Sequence, residues 1–384
     1  MEYRQLGRSG LMVSVLGLGT TGWGAHAEFG NVDRDGAKRQ VDLALSCGMN
    51  LFDTAETYGN GLCEEMLGEA LGARRDRAVI ATKVFWGVGG EINDHGLSRR
   101  HLIQSCEGSL RRLKTDYLDI LQMHGWDARV PLEETLSALD TLIRSGKVRY
   151  VGVSNWSAWH LMKALGIADR EGLPRFISQQ VYYSLQARDI EYELVPLAID
   201  EGVGIIVWSP LGGALLTGKW RRGARPPAGS RRMLGWPDPP IYDEEKLWRT
   251  IEAVIDIAQT RACPVPQVAL AYLLHKPAVT SLILGARDEI QLLDNIGAAE
   301  LALDAGEMNR LDDVSALPLL YPYWWQAKYD DRLGEADLAL LGRYQAVQIP
   351  AGSLHRPLPG FEVVPGIGAG RAKRRSRPKP RADT

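Results

Sequence analysis

Leu118-Asp119-Ile120-Leu121-Gln122-Met123, then a helical stretch that opens at Pro131 and runs towards Ile143, then Val148-Arg149-Tyr150-Val151-Gly152-Val153 form one strand-helix-strand passage, and its repetition decides the fold. The flanking runs are short, β-rich and nearly continuous in apolar character, as strands covered on both faces of a parallel sheet are. Proline suits the first helical turn, where its missing N–H has no partner to lose. Working outward, the same alternation recurs at Val15-Leu16-Gly17-Leu18-Gly19, Asn50-Leu51-Phe52-Asp53, Val79-Ile80-Ala81-Thr82-Lys83, Phe176-Ile177-Ser178-Gln179-Gln180, Gly204-Ile205-Ile206-Val207-Trp208 and Thr280-Ser281-Leu282-Ile283-Leu284. Between these runs the period turns helical: Leu102, Ile103, Cys106, Leu110 and Leu113 share one face. Gly48 suits the position just past a helix end, before the second strand. Eight successive βα units over residues 15 to about 297 predict an α/β fold whose parallel sheet closes into a (β/α)₈ TIM barrel.

Three segments fall outside the repeat. Residues 2 to 14 read as a hairpin turning at Arg8-Ser9-Gly10 and capping the N-terminal barrel mouth. Gly218 to Pro240, rich in Gly, Pro and Arg, is a long loop after the seventh strand and a candidate lid. Beyond Tyr321-Pro322-Tyr323-Trp324-Trp325 comes a weak helical stretch near Gly334 to Tyr344, and residues 346 to 384 are expected to be disordered. The expected division is a barrel domain over residues 1–330 and an extension over residues 331–384.

Composition narrows the function classes. The 384 residues are 45% hydrophobic and 24% charged, ordinary values for a soluble globular chain, which removes fibrous and wholly disordered readings. No run approaches the roughly 18 uninterrupted apolar residues of a membrane-spanning helix. Met1-Glu2-Tyr3-Arg4-Gln5 lacks the basic and then apolar order of a signal peptide, so a cytoplasmic location is expected. Cys47, Cys63, Cys106 and Cys263 are widely spaced, with no paired Cys/His pattern for zinc, and read as reduced packing thiols; no metal is expected. Residues 371 to 384 carry seven Arg or Lys against one Asp; removing that +6 from the net charge of −2 leaves −8 on the first 370 residues. An acidic body does not resemble a nucleic-acid binder, and the basic end reads as a solvated tail.

Gly17-Leu18-Gly19-Thr20-Thr21-Gly22 matches G-x-G-x-x-G at the end of the first strand. A dinucleotide fingerprint needs its third glycine to open a helix, whereas Trp23-Gly24-Ala25-His26 and Glu28-Phe29-Gly30-Asn31 read as a loop. Asp53 lies 34 to 36 residues beyond the second and first glycines, too far for the ribose-binding acid expected about 20 positions on. The match does not support a Rossmann fold.

The chemistry concentrates elsewhere. Asp53-Thr54-Ala55-Glu56-Thr57-Tyr58-Gly59 follows the second strand, Lys83 ends the third and His124 ends the fourth. Taken singly, Asp53 caps a turn, Tyr58 packs at a rim, Lys83 is a surface charge and His124 a satisfied polar residue. In a barrel, however, consecutive strand ends converge at one mouth. Together the four make a device for protonating an oxygen. A free Tyr, with a pKa of about 10, is a poor acid near neutrality, and a nearby ammonium stabilises its phenolate. Lys83 supplies that charge, Asp53 holds Lys83, a neutral His124 donates to a developing alkoxide, and Tyr58 is the general acid.

With these residues the sequence resembles the aldo-keto reductase family over roughly residues 2 to 330. The resemblance is carried by Gly-Leu-Gly-Thr at 17 to 20, Asp53 to Gly59, Ala81-Thr82-Lys83, Gln122-Met123-His124, Gly146-Lys147-Val148-Arg149, Gly152-Val153-Ser154-Asn155, Trp208-Ser209-Pro210-Leu211 and Gly285-Ala286-Arg287. It implies an NADPH-dependent oxidoreductase that reduces a small carbonyl substrate, with Asp53, Tyr58, Lys83 and His124 as the catalytic tetrad. It also implies that Ser154, Asn155 and Gln180 bind the nicotinamide carboxamide and that the nicotinamide stacks on Trp208. Ser209, Leu211, Gly213 and Lys219 would track the pyrophosphate, while Gly285, Arg287, Gln291 and Asn295 would hold the adenosine end, where a helix opens. Gly19, Thr20 and Asp53 are likewise placed against the cofactor.

One position departs from the family pattern. Residue 288, commonly a small hydroxyl or amide residue, is Asp288, followed by Glu289. Aspartate is a favoured N-cap, but a carboxylate beside a 2′-phosphate is repulsive, so weaker discrimination against NADH is expected. Trp23, Trp86 and Trp126 follow the first, third and fourth strands and are candidate walls of a substrate pocket for apolar or aromatic carbonyls. A different class of function also fits: a cofactor-sensing subunit for a protein partner, as the potassium-channel β subunits of this superfamily are. Tail-mediated attachment to nucleic acid or membrane would rest on Arg371 to Arg381 alone.

Overall fold

All eight predicted runs are strands, and they close. The computed structural model describes residues 1–24, 30–225, 240–328 and 332–345. An antiparallel hairpin, β1 (Tyr3–Gln5) and β2 (Met12–Ser14), precedes the barrel strands β3 (Leu16–Gly19), β4 (Leu51–Asp53), β5 (Val79–Val84), β6 (Leu118–Met123), β7 (Val148–Ser154), β8 (Ser178–Tyr182), β9 (Gly204–Trp208) and β10 (Val279–Leu284). Each barrel strand pairs in parallel with the next, and β10 returns to β3. The sixth run differs from its expected bounds. The strand runs from Ser178 to Tyr182, and Phe176 before it is buried with its ring against Trp156 at 5.5 Å between centroids.

The helices are α1 (Arg34–Ser46), α2 (Leu62–Leu71), α3 (Arg99–Leu113), α4 (Leu132–Arg144), α5 (Ala158–Glu171), α6 (Leu194–Glu201), α7 (Glu244–Thr260), α8 (Val265–Leu274), α9 (Glu289–Ile296), α10 (Ala305–Val314), α11 (Tyr323–Gln326) and α12 (Glu335–Gln345). Their starts obey local chemistry. Asp33, Ser98, Asp243 and Asp304 each accept an N–H from the first turn of the helix that follows, and Pro131 stands immediately before α4. On α4 the buried face is Leu132, Leu136, Leu139 and Leu142, each contributing about 1.5–3 kcal/mol by leaving water.

The period of two along the strands positions the site. Leu51, Val79, Ala81, Ile120, Ile206 and Ile283 fill the barrel interior, and Leu6 and Val13 of the hairpin close it from below, so the expected cap is a plug. Two residues further along the same inward rows stand Asp53, Lys83, Gln122 and Trp208, with Gln180 on β8. The intervening residues, such as Phe52, Ile80, Leu121 and Val207, face the helices in the larger core. One repeat thus makes a dry lower barrel and a polar upper mouth.

The weak helical stretch near the end is α12, whose Leu340 and Leu341 are buried. Residues 346–384 and 226–239, the latter holding most of the candidate lid, lie outside the described residues. Among the described residues no helix is long and apolar enough to cross a membrane.

Candidate active site

At the C-terminal ends of the barrel strands a cleft of about 930 Å³ runs across the mouth. Asp53, the last residue of β4, lies at its floor, and Lys83 of β5 stands beside it with its side chain wholly enclosed. Lys83 Nζ donates to Asp53 Oδ1 at 2.5 Å, to the Thr54 carbonyl at 2.9 Å and to Tyr58 Oη at 3.1 Å. Tyr58 reaches this position because the chain turns tightly after β4, with Gly59 and Asn60 in the left-handed region at φ 58° and 52°. The other oxygen of Asp53 accepts from Gln180 Nε2 at 2.6 Å and Gln122 Nε2 at 3.3 Å. A carboxylate buried this deeply needs such partners, since an unpaired buried charge is far costlier than a paired one.

Burial works against the charge on Lys83, but Asp53 and the phenol oxygen of Tyr58 outweigh it and hold the ammonium above its ordinary pKa. His124, directly after β6, responds in the opposite sense: burial, then the positive charge of Lys83, push its pKa down to about 2. Its imidazole is therefore neutral at any working pH and keeps one N–H to donate. The rings of Tyr58 and His124 meet edge-on at 5.8 Å between centroids. The four residues expected from the strand ends thus come together at the floor of the cleft, where Asp53, Tyr58 and His124 line it and Lys83 lies enclosed behind them.

The remaining cleft residues follow β7 to β10. Ser154 is buried at the lining, and its hydroxyl has no hydrogen-bond partner among the described residues. Asn155 takes a left-handed φ of 58°, accepts from Trp208 Nε1 at 3.0 Å and donates to the His124 carbonyl at 3.3 Å. Both ends of its amide therefore fix neighbouring groups, and one amide hydrogen of Gln180 is likewise committed to Asp53. Trp208, Ser209, Leu211, Gly213 and Lys219 line the next stretch, and Gly285, Arg287, Gln291 and Asn295 line the far end. Asp288 caps α9, accepting the Gln291 N–H at 2.8 Å, and Glu289 pairs with Arg39 at 2.5 Å. Gly19 lines the cleft, and β3 runs so close to β10 there that a Cβ would meet the Ile283 side chain at 2.6 Å.

Three expected contacts are corrected by the geometry. Thr20 is fully buried just beyond β3, and Thr21 and Gly22 face the cleft in its place. Trp23 is only 1% exposed and turns into the core, where its indole N–H bonds Gln40. Trp126 stacks flat on His160 at 3.8 Å and meets Trp156 edge-on, away from the cleft. Trp86 does line the cleft, 4.8 Å from the His124 ring. Tyr182, Trp220 and Pro264-Val265-Pro266 also line it and were not anticipated. Ending the sixth strand at Tyr182 would have drawn attention to that residue, which stands 4.9 Å from the Trp208 ring.

Comparison with known proteins agrees with this architecture. Residues 15–316 match the Aldo/keto reductase family, and the chain belongs to that family. It is 39% identical over 310 residues to a "Probable voltage-gated potassium channel subunit beta" of Arabidopsis thaliana, covering 78% of this chain and 92% of that protein. A protein of the same description from Oryza sativa subsp. japonica matches with the same identity and coverage. The "Uncharacterized oxidoreductase YrpG" of Bacillus subtilis (strain 168) is 38% identical over 325 residues, 82% of this chain and 96% of the relative.

Proposed function

We propose that this chain is an NADPH-dependent reductase that converts an aldehyde or ketone to the alcohol, with Tyr58 as the proton donor. The observation that carries the reading is the single ammonium of Lys83 within hydrogen-bond reach of both Asp53 and Tyr58 Oη at the floor of an open cleft. The residues fit the cofactor. Ser154 presents at the lining a buried hydroxyl without a partner among the described residues. Apart from its chain neighbours, a Cβ on Gly285 would meet no atom of the described residues within 4 Å, so their packing leaves that space open. Lys219 and Arg287 bring two cations to the same cleft, where phosphates need them.

Ser154, Asn155 and Gln180 would hold the nicotinamide end beside Trp208, Lys219 the pyrophosphate, and Arg287, Gln291 and Asn295 the adenosine end. The bound reduced nicotinamide supplies the hydride. Tyr58 Oη gives its proton to the carbonyl oxygen as that oxygen gains charge, and the Lys83 ammonium stabilises the phenolate left behind. Neutral His124 donates a second hydrogen bond to the same oxygen without competing for the proton. Asp53, with Gln122 and Gln180 behind it, keeps the ammonium aimed at Tyr58.

Trp86, 47% exposed and set edge-on to His124, offers an aromatic face to a substrate held at Tyr58. Trp86→Ala is expected to lower kcat/KM for an aryl aldehyde by about tenfold and for a short aliphatic aldehyde far less; equal losses would remove the aromatic preference. Asp288 and Glu289 place two carboxylates at the adenosine end. Asp288→Asn keeps an efficient cap but removes one charge, and should raise the NADPH-to-NADH ratio of kcat/KM by roughly fivefold. No change in that ratio would show that Asp288 does not face the 2′-phosphate.

A second reading is favoured by the relatives described as channel subunits: a cofactor-sensing partner protein with slow turnover. NADPH oxidation across aromatic, aliphatic and sugar-derived carbonyls separates the two. Steady turnover on at least one class is expected. Tight NADPH binding without turnover on any carbonyl would favour the regulatory reading.

A further inference from the structure

We propose that Gln40 is a positioning residue for the adenosine end of the cleft, a buried amide that ties the loop after β3 to the loop after β10. The proposal rests on the reading of the cleft as a dinucleotide site. Gln40 lies on α1 and is 1% exposed. Its Oε1 accepts the indole N–H of Trp23 at 2.9 Å, and its Nε2 donates to the Ala286 carbonyl at 3.1 Å. An indole N–H only donates and a backbone carbonyl only accepts, so the orientation of the amide is fixed by chemistry. Neither a carboxylate nor an ammonium can satisfy both partners at once.

What the amide joins gives it its purpose. Trp23 follows directly on Thr21 and Gly22, which line the cleft, and its own N–H is bonded to the Thr20 carbonyl at 2.9 Å. Ala286 lies between Gly285 and Arg287, both of which line the cleft at its far end. The loop carrying Ala286 has left the sheet at Leu284 and enters α9 at Glu289. Gln40 sets the height of that loop from the neighbouring helix, and with it the position of Arg287. The adjacent residue, Arg39, grips the same turn through Glu289, but from the solvent-exposed side, where an ion pair is worth little. The Gln40 bonds are the stronger restraint, because losing the buried one strands the Trp23 indole N–H away from water and losing the part-buried one releases the Ala286 carbonyl. A loop freed in this way must be ordered again by each ligand it binds.

The test uses the full chain, with Gln40→Met, which keeps length but no polar atom, and Trp23→Phe, which keeps a ring but no N–H. Binding of NADPH and of 2′,5′-ADP is titrated by calorimetry, and kcat is read at saturating NADPH. Gln40→Met should weaken both ligands by about tenfold, with kcat at saturation within about twofold of wild type. Trp23→Phe should weaken them in the same direction, and the double variant should add little to Gln40→Met, since both act through one chain of bonds. Wild-type affinities in both single variants, or a fall in kcat at unchanged affinity, would overturn the proposal. If Gln40→Met does not fold, Trp23→Phe decides alone, on the same criterion. A wild-type chain that binds neither ligand would overturn the dinucleotide reading itself, a result distinct from a variant that binds as wild type does.

Discussion

Tyr58→Phe is expected to lower kcat by about 10²–10⁴-fold, the usual range for loss of a positioned general acid. NADPH affinity should stay within about twofold, because the variant removes an interaction with the reacting oxygen rather than with the cofactor. The fold should tolerate the change. Lys83 loses one of three hydrogen-bond partners and keeps Asp53 at 2.5 Å and the Thr54 carbonyl at 2.9 Å. The ring still meets His124 edge-on. Steady-state kinetics on the best carbonyl, alongside an NADPH titration, check this directly, and a kcat within about tenfold of wild type would mean that another group delivers the proton.

Lys83→Met should fail in two ways at once. Among the described residues it leaves Asp53 enclosed with only the amides of Gln122 and Gln180 as donors, and breaking a buried ion pair by removing one partner costs about 3–5 kcal/mol. Turnover should also collapse, since no ammonium remains to stabilise the phenolate of Tyr58. The two effects separate in Lys83→Met/Asp53→Leu. Replacing both charges by apolar groups removes the unpaired carboxylate, so chemical denaturation should recover most of the lost stability while turnover stays absent. If the double variant remained as unstable as Lys83→Met, the loss would have come from packing rather than from the stranded charge. If Lys83→Met kept its turnover, the ammonium would not be part of the chemistry.

Much of this was legible in the sequence because barrels translate strand periodicity into place. Apolar residues at Leu51, Val79 and Ile120 and polar ones two or four positions later, at Asp53, Lys83 and Gln122, announce inward rows that are dry below and charged above. Loops carry no such period. Trp23 and Trp126 stand a few residues beyond strand ends, and nothing in the spacing distinguishes a ring facing the cleft from one folded back into the core. Trp23 turns inward because Gln40, on the neighbouring helix, offers its indole N–H a buried acceptor. Trp126 turns away because its own ring stacks on His160 and meets Trp156 edge-on. The start of β8 escapes the pattern for a related reason: Phe176 is as buried as a strand residue, but its ring packs against Trp156.

The residues that hold the site are harder to read than those that form it. Gln122 and Gln180 sit on inward rows and could be found by alternation, yet their commitment to one carboxylate depends on the barrel closing. Gln40 occupies an unremarkable helical position, and its importance lies in two partners 17 and 246 residues away in sequence.

The most direct test of the account is isotopic. NADPH carrying deuterium at the transferable C4 position is incubated with the chain and a carbonyl that it turns over, and the alcohol is examined by mass spectrometry and NMR. The account predicts one deuterium on the former carbonyl carbon, and in the Tyr58→Phe reaction the same label in alcohol formed about 10²–10⁴-fold more slowly. An alcohol without deuterium at that carbon, or NADPH recovered intact from a chain that binds it tightly, would contradict it.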